Sequence, residues 1–264
     1  MRKLVLFAAL VLLFIPANSR AQSAFDGTWK FDITNVPASS KPDVFVLQNG
    51  VYECKTCNPP YKVKADGTDQ TISGNPYTDT VAIKVVNDHE IQETDKKGGK
   101  VVSTSTSTVS PDGKSVMFTF TDSSNTNGGP PVTGKAQATK VADGPSGSHA
   151  LSGSWKLSKF DNLSDNGTIW TYKVNGDEIT MNSPTGQSYT AKLDGTDAPM
   201  KGDPGITSVS LKMMGANTLV ETDKRNGKVI GISTMTVAPD GKTAKLKYED
   251  KLQDRTNEAR AVKQ

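Results

Sequence analysis

Few residues in this chain have the types and spacing that chemistry needs. Cys54-Lys55-Thr56-Cys57 holds its only two cysteines. In an oxidising compartment, thiols this close form a local disulfide. A redox pair of the same spacing draws its low thiolate pKa from a helix N-terminus, whereas this pair follows a strand-like run and leads into Pro59-Pro60. Asn58 stands where haem attachment requires His. Tetrahedral zinc needs more ligands than two thiols, and the chain adds only His89 and His149. Both histidines read as loop residues, and neither lies in a motif that positions a nucleophile. No catalytic residue, metal site or cofactor is expected.

Carboxylates offer a second kind of chemistry. Glu93-Thr94-Asp95-Lys96 recurs identically as Glu221-Thr222-Asp223-Lys224. In a strand, the Glu and Asp of each copy lie about 7 Å apart on one side. Such pairs can exchange protons. The basic residues that follow at once, Lys96, Lys97, Lys224 and Arg225, instead predict a solvated, charge-balanced edge. The hydroxyl tract at residues 103–108 either faces water or lines a cavity, and its counterpart, with Ile230, Ile232, Met235 and Val237, is more apolar. Arg260 alternates with Ala259 and Ala261. Turned inward it would meet an acidic head group, turned outward only water. Asp66-Gly67-Thr68-Asp69 lacks the ligand run of a calcium loop and reads as a turn.

The elements that must carry these residues come in two copies. Phe25-Asp26-Gly27-Thr28-Trp29-Lys30 returns as Leu151-Ser152-Gly153-Ser154-Trp155-Lys156, and Asn49-Gly50 as Asn175-Gly176. Asp66-Gly67-Thr68-Asp69 matches Asp194-Gly195-Thr196-Asp197, and Pro111-Asp112-Gly113-Lys114 matches Pro239-Asp240-Gly241-Lys242. An ordered set of landmarks defines an internal duplication. The expected units are residues 25–142 and 151–264, with 143–150 as a linker, and one closed structure built from both halves stays open. Alternating apolar runs, separated by Asn-Gly and Asp-Gly turns, predict eight to ten short antiparallel strands per unit and no long helix. Val116, Phe118 and Phe120 share one face of their strand, as do Ala244, Leu246 and Tyr248. The fold class is all-β: two tandem antiparallel meander barrels, because closure removes the sheet edges.

Arg2 and Lys3 precede an apolar run at residues 4–15, then Pro16 and small residues. This pattern predicts a signal peptide over residues 1–21, a secreted or periplasmic protein, and no membrane insertion after cleavage. The chain carries 31 basic and 28 acidic residues, and Arg2, Lys3 and Arg20 account for the whole excess. Without them no electrostatic reason to bind nucleic acid remains.

Gly27-Thr28-Trp29 and Gly153-Ser154-Trp155, each opening a meander that ends in a basic residue, resemble the lipocalin-like calycin superfamily. The resemblance implies Trp packing across the closed end of each barrel, beneath a basic side chain from the last strand: Trp29 under Lys140, and Trp155 under Lys263. It implies a non-enzymatic carrier with a small lipophilic or amphipathic ligand in the barrel interior. The expected lining is Phe118, Phe120 and Tyr248, with Tyr172 and Arg260. Filled barrels acting through their surfaces are the alternative, and a lipocalin-fold isomerase or cyclase is the third reading.

Overall fold

The computed structural model describes residues 24–32 and 41–264, so the expected leader at residues 1–21 lies outside them. Twenty strands and one 3-10 turn, Asp165–Gly167, make up its regular structure. The strands are β1 (Gly27–Asp32), β2 (Asp43–Gln48), β3 (Val51–Cys54), β4 (Tyr61–Lys64), β5 (Gln70–Thr71), β6 (Thr80–Asn87), β7 (Glu90–Lys97), β8 (Lys100–Val109), β9 (Ser115–Asp122) and β10 (Val132–Asp143). They continue as β11 (Gly153–Leu163), β12 (Ile169–Asn175), β13 (Glu178–Asn182), β14 (Ser188–Lys192), β15 (Asp194–Pro199), β16 (Ser208–Met213), β17 (Thr218–Arg225), β18 (Lys228–Val237), β19 (Thr243–Asp250) and β20 (Arg255–Lys263). All pairings are antiparallel, and they build two ten-stranded sheets, each curled into a nearly closed barrel.

The order of strands redraws the expected domain boundaries. Barrel one runs β4-β3-β2-β11-β10-β9-β8-β7-β6-β5, and barrel two runs β14-β13-β12-β1-β20-β19-β18-β17-β16-β15. The two barrels have exchanged their first strands. β1 sits between β12 and β20, with Trp29 opposite Trp170 on one side and Lys263 on the other. β11 sits between β10 and β2, with Trp155 opposite Lys140 and Asp43. Residues 143–150 therefore do not link two barrels; they belong to the connection between β10 and β11, neighbours in one sheet. Sequence could not decide this, because Gly-Thr-Trp-Lys and Gly-Ser-Trp-Lys are interchangeable in either slot. A short polar connection serves equally well as linker or as hairpin loop.

The exchange corrects the expected pairing of tryptophans and lysines as well. Lys263 Nζ lies 4.9 Å from the Trp29 ring centroid and Lys140 Nζ lies 4.8 Å from that of Trp155, each Lys meeting the Trp of the other repeat. Both indoles are buried, and their Nε1 atoms donate to the carbonyls of Phe25 (2.9 Å) and Leu151 (2.8 Å). Trp29 and Phe31 pack with Tyr172, Leu211 and Val237 in the core of barrel two, whereas Trp155 packs with Leu47, Ile83, Ile91 and Val116 in barrel one.

Hairpin geometry sets which side chains point inward. Asn49 and Gly50 both take positive φ, 54° and 73°, as a two-residue turn of mirror type demands. In the copy, β12 ends at Asn175 and β13 begins at Glu178, so the tip moves one residue on, to Gly176 (φ 61°) and Asp177. That step places Tyr172 where Phe45 stands in barrel one, Ile179 where Tyr52 stands and Met181 where Cys54 stands. Cys54 and Cys57 are bonded to each other.

Candidate functional site

Each barrel carries an acidic pair on its inner wall. Along β7, Ile91 is buried in the barrel-one core, and Glu93 and Asp95 follow on the same face. Along β17, Leu219 is buried and Glu221 and Asp223 follow. The two pairs are therefore interior, not the solvated edge expected from the neighbouring lysines. Lys96 and Lys224 occupy the opposite face, where Lys96 pairs with Asp69 (2.6 Å) and Lys224 with Asp197 (2.5 Å). Tyr61 Oη donates to Glu93 Oε1 at 2.7 Å, and Tyr189 Oη donates to Glu221 Oε2 at 2.5 Å.

Burial dominates the electrostatics of both pairs. Desolvation raises Glu93 and Glu221 above the usual carboxylate range, against the opposing Tyr hydrogen bonds. Desolvation, and then the charge of Glu93, pushes Asp95 up to about 8. Desolvation, and then Glu221, pushes Asp223 up to about 9. A carboxyl pair so placed shares protons at neutral pH.

In barrel two the pair opens on a cavity of about 480 Å³ that extends to the rim of barrel one. Its apolar wall is built from Trp170, Tyr172, Met181, Met200, Ile206 and Phe120. Ser183, Thr185, Gln187 and Tyr248 add neutral polar groups, and the charged lining consists of Asp122, Asp203, Glu221 and Asp223. This size and mixture match a small-molecule site.

Barrel one supplies the lid. Its β9–β10 connection lies against the β13–β14 turn of barrel two, where the Gln187 side chain donates to the Asn125 carbonyl. Asn125 Nδ2 donates to Asp203 Oδ2 at 2.9 Å, and Tyr77 Oη donates to Asp203 Oδ1 at 3.0 Å. The backbone amides of Gly205 and Ile206 also donate to Asp203, so this carboxylate is fully engaged as an anchor. Tyr77 fits because residue 205 is Gly, where a Cβ would collide with the phenol. On the opposite side the roles reverse. The β19–β20 turn of barrel two meets the disulfide loop of barrel one, through Gln253 Nε2 to the Thr56 carbonyl (3.1 Å) and through Arg255 to Asp43 (2.7 Å).

The residues singled out from sequence separate clearly. Phe120, Tyr172 and Tyr248 line the cavity of barrel two. Phe118 does not; its ring packs on the barrel-one core, 6.4 Å from Phe45. Arg260 is exposed, because the buried neighbour Ala261 takes the inward direction, so it supplies no interior cation. The 103–108 tract splits by parity: Ser103, Ser105 and Ser107 stand opposite Asp95, Glu93 and Ile91 and share their inward face, while the threonines face out. His149 Nε2 contacts the Asn87 carbonyl (2.7 Å), pinning two connections together. Thr68 N and Thr196 N donate to Asp66 and Asp194, each at 2.9 Å, as turns of this kind do.

Sequence reasoning missed Trp170, Asp203 and the two phenols Tyr61 and Tyr189. A signal for the phenols was present, since the 128-residue displacement that relates Glu93 to Glu221 also relates Tyr61 to Tyr189. No family model, no characterised protein and no solved structure matches the chain.

Proposed function

We propose that this protein is an exported, non-catalytic carrier that holds a small amphipathic molecule inside barrel two, beneath the lid contributed by barrel one. The observation that carries this reading is the 480 Å³ cavity, lined by both apolar and hydrogen-bonding side chains. A filled barrel acting through its surface would not keep that volume. The calycin-like opening of each repeat supports the same reading, and the Cys54–Cys57 disulfide fits the non-reducing compartment to which a leader would deliver it.

Native mass spectrometry of protein purified from its own host, before and after organic extraction, tests the proposal. A discrete bound mass that extraction removes supports a carrier. A bare protein that also fails to take up amphiphiles on titration overturns it. A second reading, a barrel enzyme that moves protons, draws on the raised Asp223 beside Glu221. It predicts that the extracted molecule, returned to the protein, is converted rather than released unchanged.

A further inference from the structure

Two buried acceptors that face the barrel-two cavity lack partners. Asp223 is 4% exposed; its carboxyl interacts with Glu221 and Tyr248, but its Oδ1 meets no donor in the protein. Asn125 Oδ1, across the cavity on the lid, is likewise unpartnered, its amide nitrogen being committed to Asp203. Buried polar atoms are almost always satisfied, and the orphans mark where a donor is wanted. The contrast with Asp203 sharpens the point, since that carboxylate meets four donors from the protein. The cavity lining contains four carboxyl side chains and no Lys, Arg or His. Of the two cations that follow Asp223 on β17, Lys224 pairs with Asp197 at 2.5 Å and Arg225 turns its Nε to the Gly205 carbonyl at 2.6 Å.

Resting on the carrier reading above, we propose that the ligand is a cationic amphiphile, an amine whose protonated nitrogen donates to Asp223 Oδ1 and whose apolar body lies against Trp170, Tyr172 and Met181. An ammonium supplies up to three donors and a positive charge, and so satisfies orphaned acceptors and compensates a desolvated acidic pair together. A fatty-acid-like ligand would set a fifth carboxyl among these four, with no cation in the lining to receive it. A neutral alcohol offers one donor and no charge.

Isothermal titration of the full mature protein with three probes that share one body tests this: phenylbutylamine, phenylbutanol and phenylbutyrate. The amine should bind about tenfold or more tighter than the alcohol, as a charge-assisted hydrogen bond exceeds a neutral one, and the carboxylate should bind most weakly. Asp223→Asn, checked for folding by circular dichroism, should erase the preference for the amine over the alcohol; Glu221→Gln should reduce the preference in part. Alcohol or carboxylate binding as tight as the amine overturns the amine assignment and leaves the carrier standing. An unchanged preference in a folded Asp223→Asn variant also overturns it. Failure of all three probes to bind overturns the carrier reading and the assignment with it.

Discussion

The two barrels share a strand order and an acidic pair, yet they differ in what surrounds that pair. In barrel one, Phe45 stacks near Tyr52 (6.2 Å), Tyr52 meets Tyr61 (6.1 Å), and Phe45 meets Phe118 (6.4 Å), so four rings crowd the interior. In barrel two the corresponding positions hold Tyr172, Ile179, Tyr189 and Leu246. Barrel two thus has two fewer rings at these four positions, and its cavity opens against Tyr172, Trp170 and Tyr248 instead. The one-residue shift of the hairpin tip adds Trp170 to its wall, where barrel one has Asp43. The chain thus holds two buried acidic pairs in different surroundings, and the one in barrel two lines the cavity. Close packing makes that difference discrete, since a core without a large void has no room to adapt.

The strand exchange provides the harshest way to break the comparison. Trp29 belongs by sequence to the first repeat and by packing to barrel two; Trp155 is its mirror. Replacing either with Ala should cost about 3–5 kcal/mol, the usual range for a fully buried Trp. The location of the damage is the informative part. In hydrogen exchange, Trp29→Ala should lower protection across residues 169–264 first and Trp155→Ala across residues 43–163. Damage confined to the mutated residue's own repeat would mean the strands are not exchanged in solution.

The acidic pairs come next. Asp95 and Asp223 bind their protons more tightly in the folded chain than in the unfolded one, so the folded state holds more protons over the intervening range. The sign follows: their contribution to stability is complete below about pH 4, where the unfolded Asp titrates, and is lost as pH rises through about 8 for Asp95 and about 9 for Asp223. Asp95→Asn and Asp223→Asn should each flatten this alkaline decline and raise the melting temperature by several degrees at the alkaline end relative to the acidic end. Melting curves across that range check it, and a wild-type protein whose stability climbs with pH would contradict the buried placement of both acids.

How much of this was legible in the sequence depends on whether the information is local. The all-β class and the hairpins follow from alternation and turn residues, whereas the contacts of the two tryptophans with lysines were implied by resemblance alone, and with the partners the other way round. The fate of β1 and β11 follows from neither, because the exchange concerns which of two equivalent slots each strand fills. Near-identical strands leave that choice to the length and course of the connections. The acidic pairs were half legible. Their period-two spacing from Ile91 and Leu219 marks the inward face, but the adjacent lysines suggested a solvated edge, and only the pleat shows that those lysines occupy the other side. Asp203 and Asn125 were beyond reach, since each acts across the contact between barrels.

The disulfide sharpens the comparison more gently, being present in barrel one alone. Its loop is short, and closing it removes little entropy from the unfolded chain, so replacing both cysteines with Ala should cost about 2 kcal/mol at most. Cys54 is also a buried core residue, which adds a small packing loss in the same barrel. Calorimetric unfolding should show the lower-melting component assigned to barrel one, with ligand affinity in barrel two unchanged. A variant that loses binding would show that the disulfide loop, through its contact with the β19–β20 turn, also holds the second barrel in shape.

The smallest effect falls on the lysines that lie over the two indoles. A cation over an indole contributes about 0.5–2 kcal/mol, less where water reaches the ammonium. Each ammonium also donates to a backbone carbonyl, Lys263 to Ala24 (2.9 Å) and Lys140 to Ala150 (3.0 Å), so Met replacement keeps the aliphatic stem while removing both interactions. Lys263→Met should therefore cost about 1 kcal/mol and alter the emission of Trp29, whereas Lys140→Met should do the same to Trp155. Single-Trp backgrounds distinguish the two. Because Lys263 and Trp29 lie at opposite ends of the chain, their coupling in a double-mutant cycle would appear only if the first strand sits beside the last. A coupling between Trp29 and Lys140 instead would restore two self-contained barrels.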